Sequence, residues 1–310
     1  MTVGKYRTSG KHLKTLAFAA LLACSIAIST ASAELKVDFD GGDNTAWALT
    51  NSSGEAPAIL SGGPTGSFLR LANLTGSINN SIALDENPTV TGPAPNGKQL
   101  TFDFRMSDNE ANANAGGCCN SAADGMGIGY FATPLYGASG ALNPAAADGA
   151  SPWERPVFAG AAVVGLDVFE DIDVVSLNAF GGVLAEVDVR PLGLDLNNGV
   201  FHRGIFTVLP DPADSTKSLW SVDIIEDVNG ANPVLHNVIS DLPTTVDLNG
   251  LPLNRVIAGA RTGGAFLNAD LDNVSVRFVP EPSGLMPLLI GMAGVSSLLR
   301  RSVRRGPVSN

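Results

Sequence analysis

The sequence predicts an all-β fold, a large sandwich carried between two terminal segments that do not belong to it. Three observations predict this. About a dozen short runs with strand-like alternation or β-rich apolar composition recur between residues 34 and 279. Clusters of Gly, Pro, Asn and Asp separate them, and no stretch carries the apolar period of an amphipathic helix. In chain order the expected strands are 35–39, 67–71, 81–84, 99–105, 127–131, 161–169, 174–180, 183–189, 204–208, 219–225, 256–260 and 273–278. Trp220 alternates with Val222 and Ile224, which assigns it to the core. The most Gly-, Ala-, Asn- and Pro-rich stretch, 136–156, is expected to be a long surface loop. The 246 residues from 34 to 279 suit one β-sandwich, and no fixed-period repeat or Pro-rich linker divides them.

The N-terminal segment, 1–33, reads as a secretory signal peptide. Lys5, Arg7, Lys11 and Lys14 make its basic region, residues 16–28 its apolar core, and Ala31-Ser32-Ala33 a small-residue cleavage site for signal peptidase. The mature chain is then expected to begin near Glu34. A second reading takes Leu21-Leu22-Ala23-Cys24 as a lipoprotein box with Cys24 lipidated, and both readings export the protein.

At the other end, Pro280 and Pro282 stop whatever strand precedes them. An uncharged apolar stretch follows at 284–299 and ends against Arg300, Arg301, Arg304 and Arg305, the residues expected to stay on the cytoplasmic side of a bilayer. Sixteen residues is short for a stable transmembrane helix, which suits a transient inner-membrane anchor. The triplet Pro280-Glu281-Pro282, the apolar helix and the arginine cluster together resemble the PEP-CTERM sorting signal of Gram-negative envelope proteins. That resemblance implies that 280–310 is recognised by an exosortase and cut, losing roughly the residues after Pro282, with release or attachment of the mature protein at the cell surface or in its extracellular matrix. An ordinary C-terminal anchor is the alternative.

The whole chain has a net charge of −11. Without the eight basic residues of its two ends, eleven Lys and Arg face thirty Asp and Glu, a net charge near −19. Such a surface excludes nucleic acid as a partner. It is compatible with calcium, neutral sugars or a basic partner, and it also serves solubility.

Several fragments resemble the concanavalin A-like lectin and glucanase fold, a jelly-roll β-sandwich. Ala123-Asp124-Gly125-Met126-Gly127-Ile128-Gly129-Tyr130-Phe131 is similar to the stretch where L-type lectins carry Ala-Asp-Gly before an apolar strand. Val164-Gly165-Leu166-Asp167-Val168 is similar to the later strand that holds their metal-binding carboxylates. Phe102-Asp103-Phe104-Arg105 fits the strand before the first motif, and Asp272-Asn273-Val274-Ser275-Val276 resembles the closing strand of many carbohydrate-binding jelly rolls. The resemblance implies that Asp124, with Gly125 beside it, contacts sugar hydroxyls; Asp-Gly is also simply a strong turn pair. A stacking ring usually completes a sugar site, and Trp153, in the long loop, is the candidate.

The metal pattern departs from the lectins, which need a Glu two residues before the matching Asp; Gly165 stands there. Calcium needs only a carboxylate-rich loop. Asp167, Glu170, Asp171 and Asp173 offer one, and Asp38, Asp40 and Asp43 a second, although solvated strand ends look the same. Glucanases of this fold carry Glu-x-Asp-x-Glu on one strand, because an acid and a nucleophile must flank the scissile bond. Here Glu186-Val187-Asp188-Val189-Arg190 ends in arginine. His202 and His236 lie in no HExxH pattern, and no Gly-x-Ser-x-Gly elbow occurs, so no catalytic residue is assigned. Cys118 and Cys119 are adjacent, which leaves a strained disulfide, free thiols or a bridge to another chain open.

The expected function is therefore non-catalytic binding of exopolysaccharide in a biofilm matrix. A structural matrix protein without a ligand site is the alternative, and a glycoside hydrolase the remote one.

Overall fold

The computed structural model of the protein describes residues 34–41, 46–87, 96–107, 122, 124–142, 153–169, 172–245 and 253–279. The expected signal peptide and sorting signal, including Ala31, Ala33, Pro280, Glu281, Pro282, Arg300 and Arg301, lie outside these, as do Cys118, Cys119, Asp43, Glu170 and Asp171. No helix among the described residues is long and apolar enough to cross a membrane.

Among the described residues, fifteen strands form two antiparallel sheets. The strands are β1 (Glu34–Val37), β2 (Trp47–Ser53), β3 (Ala58–Ser61), β4 (Ser67–Ala72), β5 (Asn79–Leu84), β6 (Lys98–Ser107), β7 (Gly125–Ala132), β8 (Ala161–Asp167), β9 (Val174–Ala179), β10 (Gly182–Asp188), β11 (His202–Asp211), β12 (Asp214–Glu226), β13 (Val234–Thr244), β14 (Leu253–Arg261) and β15 (Asn268–Phe278). One sheet runs β13-β12-β11-β6-β15-β4-β3, with β1 also on β15; the other runs β10-β9-β8-β7-β14-β5-β2. Between hairpins the chain passes from sheet to sheet, as a jelly roll does. A single helical turn, α1 (Thr133–Tyr136), and a 3-10 turn at Arg190–Leu192 interrupt the strands.

The core follows from strand alternation. Leu100, Phe102, Phe104 and Met106 of β6 point inward, as do Met126, Ile128 and Tyr130 of β7 and Trp220, Val222 and Ile224 of β12. Trp220 is fully buried, as its spacing predicts, and its indole Nε1–H donates to Ser218 Oγ at 2.6 Å. Its ring meets Phe206, which meets Tyr130 across the sandwich at 5.8 Å. Gly204 faces Phe102 in the ladder, and a Cβ there would sit 2.7 Å from Phe102 Cε1, so the ring takes the volume of the absent side chain.

All twelve expected runs lie on observed strands, and β2, β3 and β13 are additional. These three are sheet edges. Edge strands need bury little, so their apolar period fades. All four residues of β3 are exposed, and β13 contains Pro243, which only an edge tolerates readily.

The outer face of the larger sheet carries a charged ladder. Asp103, Asp270 and Asp272 are fully buried there. Arg203 grips Asp103 through Nε and Nη2 at 2.6 and 2.9 Å. Arg70 and Arg105 both close on Asp270, and Arg105 is held between the Phe68 and Phe201 rings. Among the described residues no arginine grips Asp272 in this way; its Oδ1 accepts from the Asn273 N–H at 2.7 Å. Burial, Asp103 and Asp40 push its carboxyl up to about 6. Asn273 adopts φ of 47°, and at this bulge β15 exchanges β4 for β1 as its neighbour on one side.

Candidate functional site

Three strands deliver side chains to one end of the smaller sheet. The register places Arg261, at the end of β14, opposite Gly125 at the start of β7, and Gly125 opposite Asp167 at the end of β8. Asp124 stands just before β7 and is clamped by its main chain: its N–H donates to Arg261 O at 3.1 Å, and its own carbonyl accepts from Val168 N–H at 3.2 Å.

The segment 153–158 lies across this face, and glycine makes that approach feasible. A Cβ on Gly127 would sit 2.5 Å from Trp153 O, and one on Gly165 would sit 2.6 Å from Pro156 Cδ. Gly165, which stands where a lectin-type site needs its Glu, therefore admits a crossing backbone. Gly125 is closed in the same way, with Glu154 Cβ 2.8 Å from where its Cβ would be. Further along, Phe158 and Leu142 bury against Phe131, Ala161, Val163 and Ile257 as a second apolar cluster outside the sheet. Tyr136 packs edge-on to Phe131 at 5.0 Å, and its hydroxyl donates to Ala159 O at 2.7 Å. The expected surface loop over 136–156 is exposed at 137–141, while Leu142 and Pro156 are buried at its described ends. The segment 153–158 forms a strap tied down by Pro156 and Phe158, and 143–152 lies outside the described residues.

Arg261 organises the side chains. Its Nε donates to Asp124 Oδ2 at 2.7 Å, its Nη2 lies 3.5 Å from Glu154 Oε1, and its guanidinium covers the Trp153 ring at 4.6 Å. Asp124 and Trp153, expected to share a site, are therefore joined through one arginine. Cation–π contact and ion pairing fix its plane. The Asp124 side chain is 11% exposed and that of Arg261 39%, so Arg261 is the more accessible of the pair. Gly263 faces the carboxylate: a Cβ there would lie 3.4 Å from each Asp124 oxygen. Glu154 is half-enclosed, and burial, aided by Asp124 and Asp167, pushes its carboxyl up to about 7 against the pull of Arg261.

Asp167 is occupied. Its Oδ2 accepts from Arg155 Nε at 2.7 Å and its Oδ1 from the Phe169 N–H at 3.0 Å. Arg155 also approaches Glu186 at 3.9 Å. Asp173 belongs to another neighbourhood, where burial and then Asp195 push its carboxyl up to about 6 and Arg190 opposes them. Among the described residues no three His, Cys, Asp or Glu side chains form a metal-sized group. A cation at Asp167 would first have to displace Arg155.

The glucanase-like strand is closed by its own exception. Arg190 grips Asp188 with Nε to Oδ1 at 2.9 Å and Nη2 to Oδ2 at 2.7 Å. The residue in place of the third carboxylate thus occupies the second. Glu154 and Arg261 escaped sequence reading because neither sits in a motif; Arg261 directly follows an expected strand, and only the register brings it to Asp124.

No family model and no curated protein matches the chain. Among solved structures it is similar to the metal-free exoplasmic/lumenal domain of VIP36, at 13% identity over 80% of this chain and 92% of that one, with a TM-score of 0.44. It is similar to lectin UEA-II complexed with galactose, at 11% identity over 79% and 98% of the two chains, with a TM-score of 0.47. A third is the lectin from Bauhinia forficata in complex with GalNAc, at 12% identity over 79% and 98%, with a TM-score of 0.45. At these scores residues do not correspond one to one, and no side chain here takes a role from theirs.

Proposed function

We propose that the protein is an exported, non-catalytic carbohydrate-binding sandwich whose glycan site is the rim formed by Trp153, Arg261 and Asp124. The observation that carries the reading is the joining of a partly exposed indole to a carboxylate by one guanidinium. A pyranose presents an apolar C–H face and a polar edge, and this arrangement offers an aromatic edge beside fixed donors and acceptors. Because the strap covers the sheet face below, the sugar is met at the end of the sheet rather than along its width.

Its destination is part of the same proposal. The basic, apolar and small-residue pattern of 1–33 supports export, and 280–310 supports exosortase processing and delivery to the cell surface or an exopolysaccharide matrix. The described residues supply no calcium cage. A calcium role rests on Glu170 and Asp171, outside the described residues, together with release of Asp167 from Arg155.

A glycan array probed with the mature protein, with and without calcium, tests the reading. Binding that is lost in Trp153→Ala supports it. No binding in either condition, or binding indifferent to both Trp153→Ala and Arg261→Ala, overturns it.

A further inference from the structure

His202 opens β11 with no exposed surface, its ring against Phe104 at 5.3 Å. Both of its nitrogens are used. The Asp227 N–H approaches Nδ1 at 3.3 Å, and Asn198 Oδ1 lies 3.1 Å from Nε2. A main-chain N–H can only donate and a carbonyl oxygen can only accept, so the ring carries its proton on Nε2 and a lone pair on Nδ1. The Asn198 amide is oriented independently, because its Oδ1 also accepts from the Val200 N–H at 3.1 Å. His202 in its neutral form is fully satisfied.

Through these bonds it ties two loops to the sheet. Asn198 belongs to the connection 189–201, anchored by a bridge to Ser107 and by the Gly199 N–H donating to Met106 O at 3.1 Å. Asp227 opens the turn between β12 and β13 at φ of 48°, a backbone state unfavourable for a residue with a Cβ. That turn is also held by the Val228 N–H donating to Phe201 O at 2.8 Å. The Asn198 loop lies at the end of the sandwich where β14 leads into β15: Asn198 bridges Ser107, which pairs with Asn268 at the start of β15, seven residues after Arg261.

A second ring proton would arrive at Nδ1, where the Asp227 N–H already points, and two donors would then face each other. We propose that His202 is an acid-released clasp, which holds the Asn198 loop and the Asp227 turn to the sheet when neutral and frees the turn when protonated. The charged groups that act on the ring are Glu226 on β12, Asp227 in the turn and Asp195 in the connection, which favour its charged form, and His236 on β13, which opposes it. Burial outweighs them and holds the imidazole below its ordinary value, so the clasp stays shut at neutral pH.

Hydrogen exchange on the purified exported protein at pH 7 and pH 5, corrected for intrinsic rates, tests the clasp. Protection of the Asp227 and Val228 amides is expected to fall at least tenfold at pH 5. His202→Gln can keep both bonds, carbonyl to Asp227 and amide to Asn198, without titrating, and is expected to hold protection constant between the two pH values. Nitrogen NMR on the unaltered protein is the second reading: protonation of Nδ1 is expected to coincide with the change at the Asp227 amide. Equal acid loosening in His202→Gln, or imidazole titration that leaves the Asp227 amide unmoved, overturns the proposal.

Discussion

Arg105 and Asp270 meet across β6 and β15 with Nη2 and Nε both on Oδ2, at 2.7 and 2.9 Å. Asp270 is fully buried, and Arg70 takes its other oxygen from β4. One carboxylate thus fastens three strands of the larger sheet. Asp270→Ala would leave two part-buried guanidinium groups facing each other. A loss of about 3–5 kcal/mol is expected, the range for removing one member of a buried pair. Urea denaturation with an unchanged m-value would register it; a loss under about 1 kcal/mol would show that the ladder is not what holds these strands.

Trp153→Ala is expected to weaken glycan binding at least tenfold while moving the melting temperature little. Trp153 is partly exposed, and its ring packs against the Arg261 guanidinium. Titration calorimetry with an array-selected oligosaccharide, read beside a thermal melt, separates the two effects. Arg261→Lys should also weaken binding, because an ammonium cannot stack flat and pair sideways at once.

Gly165→Ala addresses the strap. The added methyl would meet Pro156 Cδ and Ser176 Oγ, each 2.6 Å from the ideal Cβ. A cost of about 1–3 kcal/mol is expected, as for other overpacked sites. Displacement of 153–156 should carry Trp153 with it, so a shift in tryptophan emission in the folded variant is the direct readout.

Asp272 sets a pH dependence of definite sign. Its carboxyl titrates at about 6 in the folded protein, against 3.8 ordinarily. Between those values the folded state holds a proton that the unfolded state has released. Stability from this group therefore falls as pH rises from about 4 to about 6, by at most about 1.4 kcal/mol per pH unit, and is flat above. Asp272→Asn should remove that part of the slope in denaturation curves taken across the window, and an unchanged slope would count against the assignment.

Processing has its own measurement. Intact-mass analysis of the exported protein is expected to show a chain starting at Glu34 and ending close to Pro282. A mature form that retains Arg300 and Arg301 would remove exosortase cleavage from the proposal.

Where burial is strong the sequence is legible. Trp220, Val222 and Ile224 alternate because one face of β12 is packed, and the strand follows. Edge strands such as β3 lack that constraint and were silent. The site was legible by halves. Asp124 and Trp153 carry recognisable chemistry, but they are 29 positions apart and their connection, Arg261, is more than a hundred positions beyond. Only the pairing of β14 with β7 brings it there. Gly165 looked like a missing ligand, while its physical role is to admit a neighbouring backbone.

The placement of β15 bears on when this protein can fold. The last strand lies inside its sheet, with β6 along one side and β4 and β1 along the other, and Glu34 pairs with Arg277. Without β15 the larger sheet is three separate pieces, β13-β12-β11-β6, β4-β3 and the lone β1. Such long-range closure is slow compared with local hairpin formation. Folding is then completed only when nearly the whole sandwich is available to pair, and its first and last residues finish as neighbours.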